Sequence, residues 1–421
     1  MKVLVVGSGG REHALVNALA RSSLGPELLA APGNPGMAER ARLAPVSVDD
    51  IDGLVALARD EQVDLVVVGP EAPLVAGLVD ALGEVGIAAF GPTKAAAQLE
   101  GSKAFAKEAM AAAGVPTAAW KEVGTVEEGM AAITGYPAVI KFDGLAAGKG
   151  VTVAPDEESA RAALVAALEE RRFGPGKVVV EEFMEGSELS LFALCDGERA
   201  VPLQPARDYK RIYDGDRGPN TGGMGAFSPV PGAPDPHELC ARIHQPIVDL
   251  MRERGTPFHG LLYAGLMLTD EGAKVVEFNV RFGDPETQAL LPRLRSDLLE
   301  VMLAATKPGG LAGVELDFDE RCAVTVVLAG AGYPASSSKG DVITGVEEAA
   351  ATGAEILHAG TARREDGALV TAGGRVLNVT ALGADHAAAR EAAYAAADLI
   401  SFDGRQLRRD IALQAAERTT T

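Results

Sequence analysis

At 421 residues the chain exceeds one ordinary hydrophobic core, and length alone suggests roughly three domains. Its 47% hydrophobic and 23% charged residues describe a soluble globular protein and exclude a disordered one. A formal net charge of -20 excludes a nucleic-acid binder, whose surface must be basic, yet permits a small anionic substrate gripped by locally gathered Lys and Arg.

From residues 2 to 90, short apolar runs alternate with helical patterns: KVLVV, a helix from Glu12, ELLAA, a helix over 51–59, DLVVV, a helix over 74–82, and IAAF. This alternation predicts a parallel sheet with helices on its faces, and ligands of such sheets sit at the carboxyl ends of the strands. Glycine turns occupy those ends: Gly7-Ser8-Gly9-Gly10, Pro32-Gly33-Asn34 and Gly69-Pro70-Glu71. The first begins like a dinucleotide-binding fingerprint, but Glu12 stands where close helix packing requires Gly or Ala. A single phosphate on the helix N-terminus, beside Arg11, is favoured over a dinucleotide.

A long Ala-rich helix is expected over 93–114, leading to a small α/β unit over 115–186 with a strand, a helix from Thr125, two strands around a glycine hairpin, a helix over 156–171 and the strand VVVEEF. The hairpin KFDGLAAGKGV suggests a P-loop only superficially. Gly144 and Gly148 are too close together, Lys149 is followed by Gly150 where the P-loop has Ser or Thr, and β-branched residues follow in place of a helix. The glycines therefore join two strands. Their lack of side chains lets backbone N–H groups approach phosphate oxygens, with Lys141 at the end of the preceding strand and Lys103 at a helix entrance after Glu100-Gly101-Ser102. The strand leading to Glu181, Glu182, Phe183 and Met184 reads either as a central strand with a solvated corner or as an edge receiving an adenine ring.

Beyond residue 188 come longer strands around a turn-rich loop at 207–229, which contains PNTGGMG. Then VVEFNVR places Glu277, Asn279 and Arg281 on one face of a strand and Val276, Phe278 and Val280 on the other. A carboxylate and an amide oxygen in a row suit Mg²⁺, which completes its shell with substrate phosphates. After a break at 308–310 the last hundred residues carry RCAVTVVLA, DVITG, GRVLNVTALG and a helix over 385–400. Cys195, Cys240 and Cys322 form no CxxC and are expected as buried thiols in a reducing cytoplasm. No apolar run approaches a membrane span, MKVLVV is too short for a signal peptide, and the histidines show no paired metal spacing.

The lysine-preceded glycine hairpin, the acid-ended strand and the late strand of metal donors with Arg resemble the ATP-grasp fold. GGREHA, APGNPG, VGPEAPL, QLEGSKAF, IKFDGLAAGKGV, PNTGGMGAFSP, LLYAGLM, EFNVRFGDPETQ and GGRVLNVTALG, in that order, are similar to the phosphoribosylamine-glycine ligase family over nearly the whole chain. The resemblance implies an α/β protein: a Rossmann-like N-terminal domain over 1–100, an ATP-grasp domain over 101–320 with a lid over 115–186, and a small α+β C-terminal domain over 321–421. It implies ligation of glycine to 5-phosphoribosylamine through a glycyl phosphate, with ATP as co-substrate, Mg²⁺ or Mn²⁺ as cofactor, and a cytoplasmic monomer without nucleic-acid or membrane partners.

By the same resemblance, Lys103 and Lys141 touch the ATP phosphates, and the hairpin with Gly144, Gly148, Lys149 and Gly150 covers them. Glu181, Glu182, Phe183 and Met184 receive adenine and Glu188 the ribose. Glu277 and Asn279 hold the metal, and Arg281 balances charge on the phosphoryl group in flight. Gly9, Gly10 and Arg11 take the phosphoribosylamine phosphate. Asp208, Lys210, Asn220, Thr221, Gly222 and Gly223 are candidates for the amine, ribose and glycine. Tyr209 stands where the family more often carries His and is expected as surface variation. A nicotinamide-dependent oxidoreductase, a sister ATP-grasp carboxylase and a non-enzymatic nucleotide-binding protein are the alternatives.

Overall fold

The computed structural model describes residues 1–145 and 150–419. The N-terminal region is a five-stranded parallel sheet in the order Arg42–Leu43, Glu27–Pro32, Lys2–Gly7, Leu65–Val68, Ala88–Phe90. Its central strands are apolar throughout because helices cover both faces, and Val3 to Val6 are wholly buried. Strand order reverses between Lys2–Gly7 and Leu65–Val68. The turns that follow these two strands therefore diverge and leave a crevice between them. The helix expected over 74–82 is two, Glu71–Ala76 and Leu78–Glu84, because Gly77 adopts φ 103° between them.

The long helix expected over 93–114 is likewise divided, into Gln98–Gly101 and Lys103–Ala113. Ser102 is extended there and its hydroxyl caps the second helix by accepting the Phe105 N–H. Next comes a four-stranded antiparallel sheet in the order Trp120–Val123, Val178–Glu182, Ala138–Phe142, Val151–Ala154. Helices Val126–Ala132 and Glu157–Leu168 cover one face and enclose a separate small core that includes Ile140, Leu164, Val178 and Val180. The other face carries Lys141 and Glu181 toward the rest of the molecule.

A second antiparallel sheet runs Ala200–Pro202, Ser187–Asp196, His259–Thr269, Gly272–Asn279. The amphipathic helix Pro236–Glu253 packs on it through Ile243, Ile247 and Met251. The last sheet runs Arg207–Asp208, Gly225–Ser228, Cys322–Ala329, Arg375–Gly383, Glu355–His358, so two strands of the turn-rich loop join the C-terminal strands. RCAVTVVLA and GRVLNVTALG are strands, whereas DVITG makes only isolated bridges at Val342 and Thr344. Cys195, Cys240 and Cys322 are free and buried. No helix among the described residues is long and apolar enough to cross a membrane.

Candidate active site

The strand Gly272–Asn279 departs from simple alternation. Leu266 pairs with Val275 and Gly265 with Glu277, which leaves Val276 as an extra residue in a bulge. A one-residue insertion inverts the facing of everything before it. Val275 therefore enters the core with Phe278 and Val280, and Val276, expected on that face, is only half-buried. Its carbonyl instead receives the Lys141 ammonium at 2.9 Å.

Beyond the bulge, Glu277 and Asn279 share a face as expected. Glu277 has no hydrogen-bond or ion-pair partner among the described residues, and Asn279 Nδ2 donates to the Phe278 carbonyl, which leaves its Oδ1 as an uncommitted acceptor. Two free oxygens of this kind, two residues apart, fit a hard divalent cation that draws its remaining ligands from phosphates and water. No cluster of three or more His, Cys, Asp or Glu able to hold a metal occurs among the described residues.

Arg281 lies past the strand end and is bound by two acids. Its Nη2 is 3.1 Å from Glu100 Oε1 and its Nε 3.3 Å from Glu71 Oε2. Burial lowers the pKa of this guanidinium, but the two carboxylates outweigh burial and raise it. Burial pushes Glu100 up to about 7 despite Arg281, whereas for Glu71 Arg281 and Arg11 outweigh burial and hold it at about 2. Neither acid figured among the sequence candidates, since each lies in a short helix, Glu71 at the start of Glu71–Ala76 and Glu100 within Gln98–Gly101, where a solvated carboxylate is the ordinary expectation.

Lys141 lies 3.0 Å from Glu181 Oε2 on the inward face of the lid sheet. Lys107, one helical turn after Lys103, meets the same oxygen at 3.0 Å. This lysine was missed because it sits in an Ala-rich helix with nothing local to mark it as buried. Lys103 donates to the Gly144 carbonyl at 3.0 Å, while Asp143 accepts the backbone N–H groups of Lys103 and Ala104. The hairpin base is thereby fastened to the helix N-terminus, with an acid where the helix dipole favours one. Gly150 accepts the Phe142 N–H at 2.8 Å. Gly148 and Lys149 lie outside the described residues. Glu182 pairs with the Ala119 backbone, and Phe183 projects with 40% of its surface exposed beside Met184.

Lys210 bridges Asp208 at 3.2 Å and Glu188, the ribose candidate. Burial raises the pKa of Asp208, the charge of Lys210 lowers that of Glu188, and burial pushes the adjacent Glu286 up to about 7. Thr221 donates its hydroxyl to the Lys210 carbonyl and accepts the Gly223 N–H. Asn220 is paired with Arg211 in the hairpin just before it. Gly223, at φ 109°, lies so close to Pro285 that a Cβ would come within 2.4 Å of it. Arg375 reaches in from the C-terminal sheet, donating to the carbonyls of Gly222 and Asp284 and pairing with the Asp284 carboxylate at 2.9 Å. Tyr209, expected as surface variation, packs its ring 4.8 Å from the Arg408 guanidinium and accepts the Ala412 N–H at 2.9 Å.

The first-domain turn faces the same region. A Cβ on Gly10 would meet the side-chain amides of Asn378 and Gln288, and one on Gly9 would lie 3.5 Å from Asp284. Glu12 caps this turn by accepting the Gly9 N–H at 2.6 Å, and its side chain fills the crevice between Gly7 and Gly69. A carboxylate there occupies the space a dinucleotide pyrophosphate would need, which removes the basis for the oxidoreductase alternative. Arg11 spends its Nε on Glu12 and one terminal nitrogen on the Phe282 carbonyl.

A lid sheet with a glycine hairpin, facing a second antiparallel sheet whose last strand ends in free oxygen donors and a doubly held Arg, defines an ATP-grasp protein. A biotin carboxylase–ATP complex from Campylobacter jejuni shares this fold, with a TM-score of 0.73 at 15% identity over 99% of this chain and 95% of that one. Family models for the N domain, the ATP-grasp (A) domain and the C domain of phosphoribosylglycinamide synthetase match residues 1–100, 101–287 and 323–414. The phosphoribosylamine-glycine ligase of Streptomyces coelicolor is 54% identical, covering 99% of this chain and 100% of its own length. That of Mesorhizobium japonicum is 52% identical, covering 99% of each chain. The crystal structure of the Thermotoga maritima enzyme gives a TM-score of 0.85 at 35% identity, covering 98% of this chain and 100% of that one. The chain belongs to the phosphoribosylglycinamide synthetase family.

Proposed function

We infer that the protein joins glycine to 5-phosphoribosylamine, giving glycinamide ribonucleotide, ADP and phosphate, as a step of purine biosynthesis. One observation carries the reading. Residues 277–288 run without interruption from the free oxygens of Glu277 and Asn279, through Arg281, to the Asp284, Pro285 and Gln288 contacts with Gly9, Gly10, Gly223 and Arg375. A nucleotide end and a substrate end thus share one rigid segment.

A carboxylate is a poor acyl donor, so a glycine carboxylate oxygen attacks the γ-phosphorus of ATP and ADP leaves. The amine of phosphoribosylamine then attacks the acyl carbon, phosphate departs, and the amine loses a proton as the amide forms. Such chemistry needs positioning and charge stabilisation more than a protein nucleophile. Lys103 and Lys141 would meet the phosphates. Arg281, kept in place by Glu71 and Glu100, offers fixed positive charge where the transferred group becomes most anionic. Glu277 and Asn279 would hold Mg²⁺, or Mn²⁺ in its place; when bound, the ion neutralises charge on the phosphates. Glu181 to Met184 would take the base, Glu188 the ribose after release from Lys210, and Gly9 to Arg11 the phosphate of phosphoribosylamine. Asp208, Lys210 and the 220–223 turn would meet the remaining substrate groups. Buried free thiols support a reducing cytoplasmic setting, and the acidic surface supports small-molecule partners only. We take the working unit to be a monomer.

Glycine labelled with ¹⁸O in its carboxylate tests the intermediate. One labelled oxygen should appear in the released phosphate for each turnover, and label-free phosphate would overturn the acyl phosphate route.

A further inference from the structure

Glu181 leaves half of a buried carboxylate unanswered. Its Oε2 takes two ammonium groups, those of Lys107 and Lys141, whereas Oε1 is buried and has no hydrogen-bond partner among the described residues. An unpaired buried acceptor is unfavourable, and where one persists the missing donor comes from a water, an ion or a ligand. The group that completes Oε1 must itself donate a hydrogen, because an ion-paired carboxylate only accepts.

Lys107 is the partner that fixes this geometry. Its ammonium is 2.7 Å from Thr117 Oγ1, and that hydroxyl donates onward to the Val275 carbonyl at 2.6 Å. The chain Glu181, Lys107, Thr117, Val275 therefore fastens the end of the lid strand to the strand of the metal donors. Lys107 is only 2% exposed, so no water stands ready to replace it. Lys141 is differently placed: it also binds the Val276 carbonyl, next in sequence to Glu277.

We propose that Lys107 is a specificity-determining positioning residue: it turns Glu181 so that Oε1 accepts from an amino group at C6 of the purine and rejects a 6-oxo purine. The proposal rests on the reading that residues 181–184 receive the nucleotide base. Adenine brings an N–H donor to Oε1, whereas hypoxanthine brings a carbonyl oxygen that would oppose it. Without Lys107 the carboxylate keeps one cation and is free to turn, so that Oε1 no longer stands fixed against a 6-oxo group.

The test compares initial rates of nucleoside diphosphate release from ATP and ITP, with glycine and phosphoribosylamine saturating, for the intact enzyme and for Lys107→Met, Lys107→Arg and Thr117→Val. The intact enzyme should prefer ATP by about 100-fold or more in kcat/KM, as expected of a site whose buried acceptor would be left unpaired by the wrong base. Lys107→Met should reduce that preference by about 10-fold or more, with the loss in KM for nucleotide and not in KM for glycine. Lys107→Arg should recover part of it. Loss on ATP and ITP in equal proportion would give Lys107 a merely structural role and overturn the proposal. Should Lys107→Met fail to fold, Thr117→Val reads the same ratio through the bond that fixes Lys107, and an unchanged ratio there is equally contrary. An intact enzyme that uses ITP as readily as ATP would overturn the base-pocket reading itself, whereas strong preference retained in Lys107→Met would overturn only the role of Lys107.

Discussion

Arg281 and Glu100 are joined twice over: the guanidinium lies 3.1 Å from Glu100 Oε1, while Glu100 Oε2 accepts the backbone N–H of Val280, the residue before Arg281, at 2.7 Å. With Glu71 at Nε and the Phe282 carbonyl at Nη1, each nitrogen of the guanidinium has a partner that holds it in place. Arg281→Met should lower kcat by about 10²–10³-fold, the usual cost of losing one fixed charge aimed at a transition state. Arg281→Lys should recover little, because a compact ammonium lacks the planar fork that reaches Glu71 through Nε and Glu100 through Nη2. A kcat within tenfold of wild type for either variant would remove Arg281 from the chemistry.

The Glu277 side chain makes no protein hydrogen bond or ion pair among the described residues, so its removal should spare the fold. Glu277→Ala is expected to abolish Mg²⁺-dependent turnover while the melting temperature stays within about 2 °C, in the range of substitutions away from packed features. Activity titrated against Mg²⁺ alongside a thermal melt checks both halves. Substantial activity at ordinary Mg²⁺ would contradict the assignment.

His13 and His358 make stability sensitive to acid. His13 Nδ1 accepts the His358 backbone N–H at 2.8 Å, tying the first helix to the C-terminal sheet. Burial, followed by the neighbouring positive groups, lowers His13 to about 3, and burial lowers His358 to about 4. A histidine with a depressed folded pKa adds stability that is present above its unfolded value of 6.5 and lost as pH falls toward the folded value. Each should remove up to about 1.4 kcal/mol per pH unit below pH 6.5. His13→Asn keeps an acceptor and loses the titration, so its unfolding free energy should fall less steeply from pH 6.5 to 4 than that of wild type. Parallel curves would refute this.

Tyr209 and Arg408 hold the turn-rich loop over 207–229. Arg408 is fully buried and also bonds Asp216, Asp410 and the Arg211 carbonyl. Tyr209→Phe should cost about 1 kcal/mol for the lost Ala412 bond and keep substrate affinity, since the ring remains on the guanidinium. Tyr209→Ala should in addition raise KM for phosphoribosylamine or glycine several-fold while leaving KM for ATP in place. A uniform change in all three KM values would show that the ring does not position the loop.

What the sequence made legible follows the range over which each signal acts. Alternation along VVEFNVR identified the face of Glu277 and Asn279, because two-residue periodicity is local. It did not reveal the bulge at Val276, which depends on how the opposite strand pairs. The break at Gly77 was missed although glycine is ordinary helix punctuation; at Ser102 the helix entrance at Lys103 was legible, but the Ala-rich stretch over 93–114 suggested one continuous helix across it. Glu100, Glu286 and Arg375 lie inside the quoted motifs, but nothing local separates them from surface charges, and Lys107 lies in none of those motifs. Their significance comes from burial against elements distant in sequence, such as Glu181 for Lys107 and Arg281 for Glu100, and only the assembled fold brings that about.

The central claim is that ATP cleavage is coupled to both acyl donor and amine, and the most direct measurement is ADP release with ATP and Mg²⁺ while glycine or phosphoribosylamine is omitted in turn. The account predicts rapid release with both present and little sustained release when either is missing. Release that ignores both omissions, or none with everything supplied, would contradict it.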